Sequence, residues 1–349
     1  LTLRFYPQSF ELSTLGGWIA TRAGGHFATA ETHIDDVVES VRAVTPSGAW
    51  ESRRVPGSGA GPSPDRVLLG SEGILGIVTE AWVRVRPRPR AHSLAAVRFA
   101  SFADGIDALR GIAQSALRPS NCRLIDAEEA RMTGASDGTA ALLVLGFEGV
   151  SEAIVPVGEL LDRGLHICAE AGGEWDERTV RRPRFAGDPK GSGDAVGAWR
   201  AAFFRAPYLR DAFVAMGILS ETFETAVTWE RFAALHTAVT AAASEAAGPA
   251  GRITCRVSHV YPHGPAPYFT VLAPARRGEE VEQWAQVKAA VSDALLAAGG
   301  TITHHHAVGR DHRPWYDRQR PDLFAAALRA AKSAVDPRGL LNPGVLIDA

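Results

Sequence analysis

Hydrophobic and polar residues alternate most clearly between residues 77 and 85. One face of this run carries Ile77, Thr79, Ala81, Val83 and Val85, while the other carries Val78, Glu80, Trp82 and Arg84. A period of two residues predicts a β-strand with two distinct faces. Prolines at positions 87 and 89 end the strand and put a domain boundary near residue 91. Upstream, the turn residues Pro46, Ser47 and Gly48 separate two strand-like runs, 37–44 and 49–55, which predicts a hairpin.

Strand-like and helix-like segments alternate after residue 91. The predicted strands cover residues 93–100, 122–125, 140–147, 253–260 and 268–272, the last two joined by a Pro/Gly turn at 262–267. The predicted helices cover residues 102–116, 152–171, 229–243, 279–298 and 322–335, with Thr228 as the N-cap of the third. Residues 182–197 are rich in helix breakers and form either a lid or a plain loop. This order predicts an α+β fold, an antiparallel sheet with helices on one face.

Composition excludes several classes of protein. The 349 residues, 46% hydrophobic and 22% charged, suit a two-domain globular protein and exclude a disordered one. Basic and acidic residues number 37 and 39 without long like-charged runs, so we expect no nucleic-acid partner. Three widely spaced cysteines, at positions 122, 168 and 255, favour a reducing compartment over a disulfide framework. With no apolar stretch of about 18 residues and no signal peptide, a cytoplasmic protein is expected.

Three consecutive histidines, His304, His305 and His306, are the densest cluster of chemically active side chains in the sequence. On an extended segment alternate side chains point in opposite directions, so at most two of them would converge. The histidines bind an anionic substrate or move protons, form part of a metal site, or lie in an incidental polar turn. No acidic residue or cysteine has a clear spacing to complete a metal shell, so no metal is expected.

Two further candidates lie on the predicted hairpin strands. Arg256 stands between the apolar residues Cys255 and Val257, a setting in which an arginine is either structural or clamps a phosphate or carboxylate. Tyr268 lies on the partner strand. By contrast, His236 falls on the apolar stripe of a predicted helix and is interpreted as a packed core residue.

Four motifs together resemble a known family. STLGGWIATRAGG at 13–25, GSEGILGIVTE at 70–80, THHHAVGR at 303–310 and VDPRGLLNPG at 335–344 occur in the order typical of the FAD-linked oxidase superfamily, which has the vanillyl-alcohol oxidase fold. Within it, the triple histidine makes the chain most similar to the alkyldihydroxyacetonephosphate synthases (alkylglycerone-phosphate synthases). Ala307 and Arg310 depart from that family's pattern, which has Gly and Lys at these positions.

The resemblance implies two domains and a flavin cofactor. Residues 1–91 would form the C-terminal portion of a PCMH-type FAD-binding domain, whose N-terminal part is expected to precede Leu1, and residues 92–349 would form a cap domain. The FAD-binding residues that the resemblance implies are Ser13, Thr14, Gly16, Gly17, Glu72, Gly73, Gly76 and Ile77. Glycines let a backbone approach a ligand, and N–H groups near turns favour the anionic pyrophosphate.

The resemblance also implies a reaction and roles for the other candidates. The acyl group of acyl-dihydroxyacetone phosphate would be exchanged for a fatty alcohol through an adduct at flavin N5, in ether lipid synthesis. Arg256 would bind the substrate phosphate, Tyr268 would act as proton acceptor, and His304, His305 and His306 would line the active site. The expected partner is therefore a phosphorylated, lipid-like small molecule, and contact with a membrane surface and a homodimer stay open.

Two alternatives compete with this hypothesis. In a FAD-dependent dehydrogenase or oxidase of a 2-hydroxy acid, Arg256 would grip a carboxylate and a histidine would take the hydroxyl proton. Alternatively, the chain is a flavin-free fragment that binds a phosphorylated ligand without catalysis.

Overall fold

The computed structural model describes residues 1–26, 29, 32–55, 57–183 and 195–348, with the backbone alone for 195–204. The chain divides into a first unit, Leu1–His26, Glu31–Arg86 and Thr301–Ala349, and a second unit, Phe27–Ala30 and Pro87–Gly300. The terminal segment from Thr301 thus belongs to the first unit, whereas the predicted second domain runs to residue 349. The domain limits 1–91 and 92–349 stay a prediction.

Nine strands are found among the described residues: β1 Val38–Thr45, β2 Gly48–Glu51, β3 Ile77–Val83, β4 Ala91–Phe99, β5 Asn121–Ile125, β6 Ala141–Gly149, β7 Ile218–Glu224, β8 Arg252–Tyr261 and β9 Gly264–Pro274. The α-helices in the same part of the chain are α1 Leu15–Thr21, α2 Pro64–Leu68, α3 Phe102–Gln114, α4 Ala127–Met132, α5 Val157–Glu170, α6 Ala195–Ala215, α7 Trp229–Ala247, α8 Glu280–Ala297, α9 Arg313–Gln319 and α10 Asp322–Val335. Short 3-10 helices cover Phe10–Leu12, Ile34–Asp36 and Glu177–Thr179.

The first unit contains a three-stranded antiparallel sheet in the order β2-β1-β3. The predicted hairpin and the alternating strand are therefore confirmed and lie side by side. Hydrophobic residues of β1, the loop before β3 and the C-terminus of the chain form its core, including Val41, Ile74 and Ile347. The last predicted helix, α10, has the predicted bounds and packs Leu328 and Ala331 against this core.

The second unit is a six-stranded antiparallel sheet in the order β4-β6-β5-β8-β9-β7. Alternate residues of its strands, such as Cys122, Cys255 and Phe269, join the core formed with α3, α5, α7 and α8. These four helices cover one face, which confirms the predicted α+β fold. Because successive strand residues point to opposite faces, Arg256 and Tyr268 lie on the other face. There the short helix α4 packs, with Ala130 against Ile125 and Leu142.

The predicted turn at 262–267 is too long, because β9 begins at Gly264 and includes Pro265 and Pro267. A proline has no N–H to donate, yet its carbonyl still accepts. The N–H groups of Thr225 and Val227 donate to the carbonyls of Pro267 and Pro265, so both prolines fit into the strand.

Other differences from the predicted elements are local. The predicted helix 152–171 begins only at Val157, after Pro156. Residues 184–194, most of the predicted lid or loop at 182–197, lie outside the described residues. The elements α2, α4, α6, β7 and α9 were not predicted from the sequence. No described helix is long and apolar enough to cross a membrane.

Candidate functional site

The three histidines lie in an irregular segment of the first unit, not on a strand. The rings of His304 and His305 are 5.3 Å apart and those of His305 and His306 are 4.9 Å apart, both edge to face. Bends in the backbone, in place of the expected extended strand, permit these contacts between consecutive rings. The Nδ1 atoms of His304 and His305 lie 3.0 Å apart, which requires one nitrogen to donate and the other to accept.

A fourth histidine, His33, extends this row. Its ring centroid lies 4.8 Å from that of His304, and its Nδ1 contacts the carbonyl of Arg22 at 3.3 Å. Burial lowers the pKa of His33 from 6.5, although the Arg22 carbonyl and Asp35 act in the opposite direction. Sequence reasoning missed His33 because 271 residues separate it from His304 and no motif joins them.

Glu72 points into the protein and holds the backbone that follows the histidines. Its two carboxylate oxygens accept hydrogen bonds from the N–H groups of Val308 at 2.7 Å and Gly309 at 2.8 Å. Burial raises the pKa of Glu72, and these two hydrogen bonds partly offset the increase. The carboxylate expected to line the flavin site is thus engaged by the loop that carries the histidines.

The C-terminal motif is hydrogen-bonded to the loop that contains Glu72. The side-chain amide of Asn342 donates to the carbonyl of Glu72. The buried ammonium of Lys332 donates to the carbonyls of Ile74 and Leu341 at 3.2 and 2.8 Å, and it pairs with Asp336 at 2.9 Å. Three motifs that are far apart in the sequence therefore form one continuous hydrogen-bonded structure in the first unit.

The predicted flavin residues before and within α1 are mostly exposed. Thr14 is the N-cap, and its hydroxyl accepts from the N–H of Gly17 at 3.1 Å. The Ser13 hydroxyl accepts from the indole N–H of Trp18 at 2.7 Å. A Cβ on Gly16 would lie 3.3 Å from the carbonyl oxygen of Val78. Gly16 therefore allows α1 to lie close to β3.

The predicted flavin residues of the loop before β3 differ in exposure. Gly73 has a φ of 80°, a conformation that glycine adopts without strain. Gly76 is buried, and a Cβ there would lie 3.2 Å from the Cβ of Ala43 on β1. Ile77 is 63% exposed at the start of the edge strand β3, which leaves its side chain open to a ligand.

In the second unit, Arg256 and Tyr268 face each other across the hairpin that was predicted. They are directly paired in the β8–β9 register, and the Arg256 guanidinium carbon lies 3.8 Å from the centre of the Tyr268 ring. The Arg256 Nη1 donates to Glu129 at 2.9 Å, while its buried Nε has no hydrogen-bond partner among the described residues. An unpaired, buried N–H is costly, which favours a site for an anion or water here.

The carboxylates around Arg256 come from the segment that follows β5. Asp126 caps α4 by accepting the N–H of Glu129 at 2.7 Å, and it also accepts the N–H of Cys255. Burial raises the pKa of Asp126 to about 6, although these two N–H groups oppose the increase. Sequence reasoning missed both carboxylates: the contact between Glu129 and Arg256 spans 127 positions, and no local pattern predicts it.

Tyr268 is a buried phenol beside a cation. Burial raises the pKa of Tyr268, while Arg256 and the hydroxyl of Thr222 lower it and Glu224 and Glu129 raise it further. The phenol is thus protonated at neutral pH, and the charges of Arg256 and Glu129 adjust how readily it loses its proton.

Family models match most of the chain. Residues 88–346 match the model described as FAD linked oxidases, C-terminal domain, and residues 1–52 match that of a FAD binding domain. Among curated proteins, the alkyldihydroxyacetonephosphate synthase of Caenorhabditis elegans is 31% identical over 98% of this chain and 60% of its own length. That of Dictyostelium discoideum is 29% identical over 98% of this chain and 58% of its own length. The chain thus spans about three fifths of the length of these relatives.

The similarity extends to a solved structure and to a subunit of an oxidase. A structure of an alkyldihydroxyacetonephosphate synthase matches with a TM-score of 0.74 at 24% identity, over 98% of this chain and 59% of that one. The glycolate oxidase subunit GlcD of Bacillus subtilis is 25% identical over 97% of this chain and 69% of its own length.

Proposed function

Because the chain belongs to the family of FAD-linked oxidases, we propose that it acts as the catalytic part of an alkyldihydroxyacetonephosphate-synthase-like enzyme. In this reaction the acyl group of acyl-dihydroxyacetone phosphate is exchanged for a fatty alcohol. The observation that carries the proposal is the buried Arg256 with an unpaired Nε, lying directly over the phenol of Tyr268.

Arg256 supports the choice of an anionic substrate. Its guanidinium is always charged and presents a planar fork that suits phosphate oxygens. Because Glu129 occupies only Nη1, the Nε can donate to a phosphate oxygen of the substrate. The burial of this group strengthens the interaction, since water competes less for both partners.

Tyr268 and the histidines would move protons. The phenol lies against the cation that binds the phosphate, so a substrate held by Arg256 would lie within reach of Tyr268. The Nδ1 contact between His304 and His305 lets a proton pass between the two rings, and neutral imidazole serves as donor and acceptor at once. In this proposal Tyr268 accepts a proton, and the histidines pass protons along their own row.

The first unit would hold the cofactor. The exposed atoms around Ser13, Thr14, Gly17 and Ile77 can contact FAD, while Glu72 would act indirectly by fixing the loop behind the histidines. When bound, FAD supplies the redox-active ring at which the exchange takes place.

The test uses the protein with FAD, acyl-dihydroxyacetone phosphate labelled in its acyl chain, and a long-chain alcohol. We expect an ether product together with an equal amount of released fatty acid, and Tyr268→Phe should reduce both by at least about 100-fold. Tyr261→Phe changes a tyrosine of the same hairpin and serves as the matched control. No ether product from protein that contains flavin would overturn the proposal.

Two other results would identify the alternatives. Bleaching of the flavin by a 2-hydroxy acid, without alcohol present, would point to a dehydrogenase or oxidase. Failure of the purified protein to retain FAD would point to a ligand-binding chain without catalysis.

A further inference from the structure

Glu129 lies in the interior of the second unit against the cation of Arg256. The residue is 5% exposed, and its Oε1 accepts from Arg256 Nη1 at 2.9 Å. The hydroxyl of Thr254, on the same strand as Arg256, lies 3.4 Å from the other carboxylate oxygen. A buried carboxylate in this position is retained only with such partners, since burying a lone charge is costly.

The position of Glu129 is fixed by the backbone and not only by its own side chain. Asp126 connects the start of α4 to β8, because its carboxylate accepts the N–H of Cys255 and its own N–H donates to the carbonyl of Cys255 at 3.0 Å. The residue next to Cys255 is Arg256. The helix that carries Glu129 and the strand that carries Arg256 are therefore linked within one residue of the ion pair.

The ion pair with Glu129 uses only one nitrogen of the guanidinium. Glu129 accepts from Nη1, the guanidinium carbon lies 3.8 Å from the centre of the Tyr268 ring, and the buried Nε has no hydrogen-bond partner among the described residues. An arginine without Glu129 would keep only the contact with the aromatic ring, which does not by itself set the direction in which the N–H groups point.

We propose that Glu129 is a positioning residue for the anion site: it fixes the Arg256 guanidinium over Tyr268 so that Nε faces the anionic group of the substrate. This inference rests on the proposed function for the identity of the anion as a phosphate ester. Glu129 itself does not touch the substrate. Its negative charge also reduces the positive charge of the site, so it limits how tightly any anion binds.

The two effects of Glu129 can be separated by substitution. Glu129→Gln keeps an oxygen that accepts from Nη1 but removes the charge, whereas Glu129→Leu removes both. Glu128→Gln is the matched control, because Glu128 is the neighbouring residue on α4 and pairs with Arg131 on the surface. Arginine-selective ¹⁵N labelling allows the Nε–H resonance of Arg256 to be followed. The resonance that disappears in Arg256→Lys is assigned to Arg256.

In the wild type, Glu128→Gln and Glu129→Gln, Arg256 stays over the ring, so we expect its Nε–H resonance to lie upfield. In Glu129→Leu, this resonance should shift toward the position of exposed arginines. Titration with inorganic phosphate should then show binding about threefold to tenfold tighter in Glu129→Gln than in the wild type, and at least about tenfold weaker in Glu129→Leu than in Glu129→Gln.

Equal resonance positions and equal phosphate affinities in Glu129→Gln and Glu129→Leu would overturn the positioning role. The readouts need neither flavin nor turnover. If the protein makes no ether product but Glu129→Gln and Glu129→Leu still differ in resonance position and phosphate affinity, only the proposed function is rejected. If the ether product forms but the two variants do not differ, only the role of Glu129 is rejected.

Discussion

The carboxylate of Glu72 accepts a hydrogen bond from the backbone N–H of Gly309 at 2.8 Å, across 237 positions of sequence. Its other oxygen accepts from the N–H of Val308. Two motifs that the sequence presents as separate, the glycine-rich loop before β3 and the histidine block, are therefore one structural element. The geometry of the histidines depends on a residue that was expected to contact the cofactor.

Replacing Glu72 by Gln should destabilise the first unit. Glutamine has one acceptor oxygen, so one of the two N–H groups would lose its partner and face an amide N–H instead. We expect a loss of about 1–3 kcal/mol in the free energy of unfolding, measured by urea denaturation. Glu80→Gln, on the exposed surface of β3, is the control and should change the stability by less than about 0.5 kcal/mol. Equal stability of both variants would contradict the role assigned to Glu72.

Sequence periodicity predicted most of the described strands and half of the described α-helices, because the local patterns of these elements agree with their burial. For α10, the apolar residues Ala327, Leu328 and Ala331 on one face indicated the helix, and Asp336 and Pro337 indicated where it stops. The direction of the Glu72 side chain could not be predicted in this way. Glu72 has a φ of 48°, and its partners come from a segment far away in sequence.

Asp336 should make the protein sensitive to acid. Burial alone would raise the pKa of Asp336, but the N–H groups of Leu341 and Leu340 together with Lys332 lower it from 3.8 to about 2. The folded state binds a proton at Asp336 less tightly than the unfolded state does. The ionised carboxylate therefore contributes fully to stability above pH 3.8, and this contribution is lost as the pH falls through about 2.

Urea denaturation between pH 2 and pH 5 measures this contribution. The wild type should lose stability more steeply over this interval than Asp336→Asn, which has no carboxylate to protonate. Asp107→Asn, an exposed position on α3, should follow the wild type. Parallel curves for the wild type and Asp336→Asn would show that Asp336 does not cause the acid sensitivity.

His33 should titrate below pH 6.5. Burial disfavours its charged form, and the resulting decrease in pKa is the largest effect on this ring. NMR of the imidazole nitrogens can follow the titration, with His33→Gln assigning the signal. That variant should also shift the ring resonances of His304, whose centroid lies 4.8 Å away, whereas the exposed His166→Gln should leave them unchanged. A midpoint at or above 6.5 would contradict the buried setting of His33.

Arg256→Lys should impair the proposed reaction although it keeps the charge. A lysine ammonium cannot both pair with Glu129 and cover the Tyr268 ring while leaving a donor for phosphate. We expect kcat/KM to fall by at least about tenfold, mostly through a higher KM for the phosphate-bearing substrate. Arg252→Lys, at the exposed start of the same strand, should retain wild-type kinetics. Unchanged KM in Arg256→Lys would argue against phosphate binding by this residue.

The candidate residues of the second unit were easier to identify from sequence than their partners. Arg256 and Tyr268 stand out as polar residues within two hydrophobic strands, and pairing of those strands brings them together. Glu129 belongs to a short helix with ordinary helix-forming composition, and its burial results only from the way α4 lies on the sheet.

Gly264 should be intolerant of any side chain. A Cβ at this position would lie 2.0 Å from the carbonyl oxygen of Val227, an overlap that the backbone of β9 cannot relieve without losing its pairing to β8. Gly264→Ala should therefore cost at least about 3 kcal/mol of folding free energy or prevent folding of the second unit. Gly59→Ala, where a Cβ meets nothing within 4 Å, is the control and should be nearly neutral. Wild-type stability of Gly264→Ala in urea would mean that the start of β9 does not approach Val227 as described, and the strand pairing that places Tyr268 opposite Arg256 would lose support.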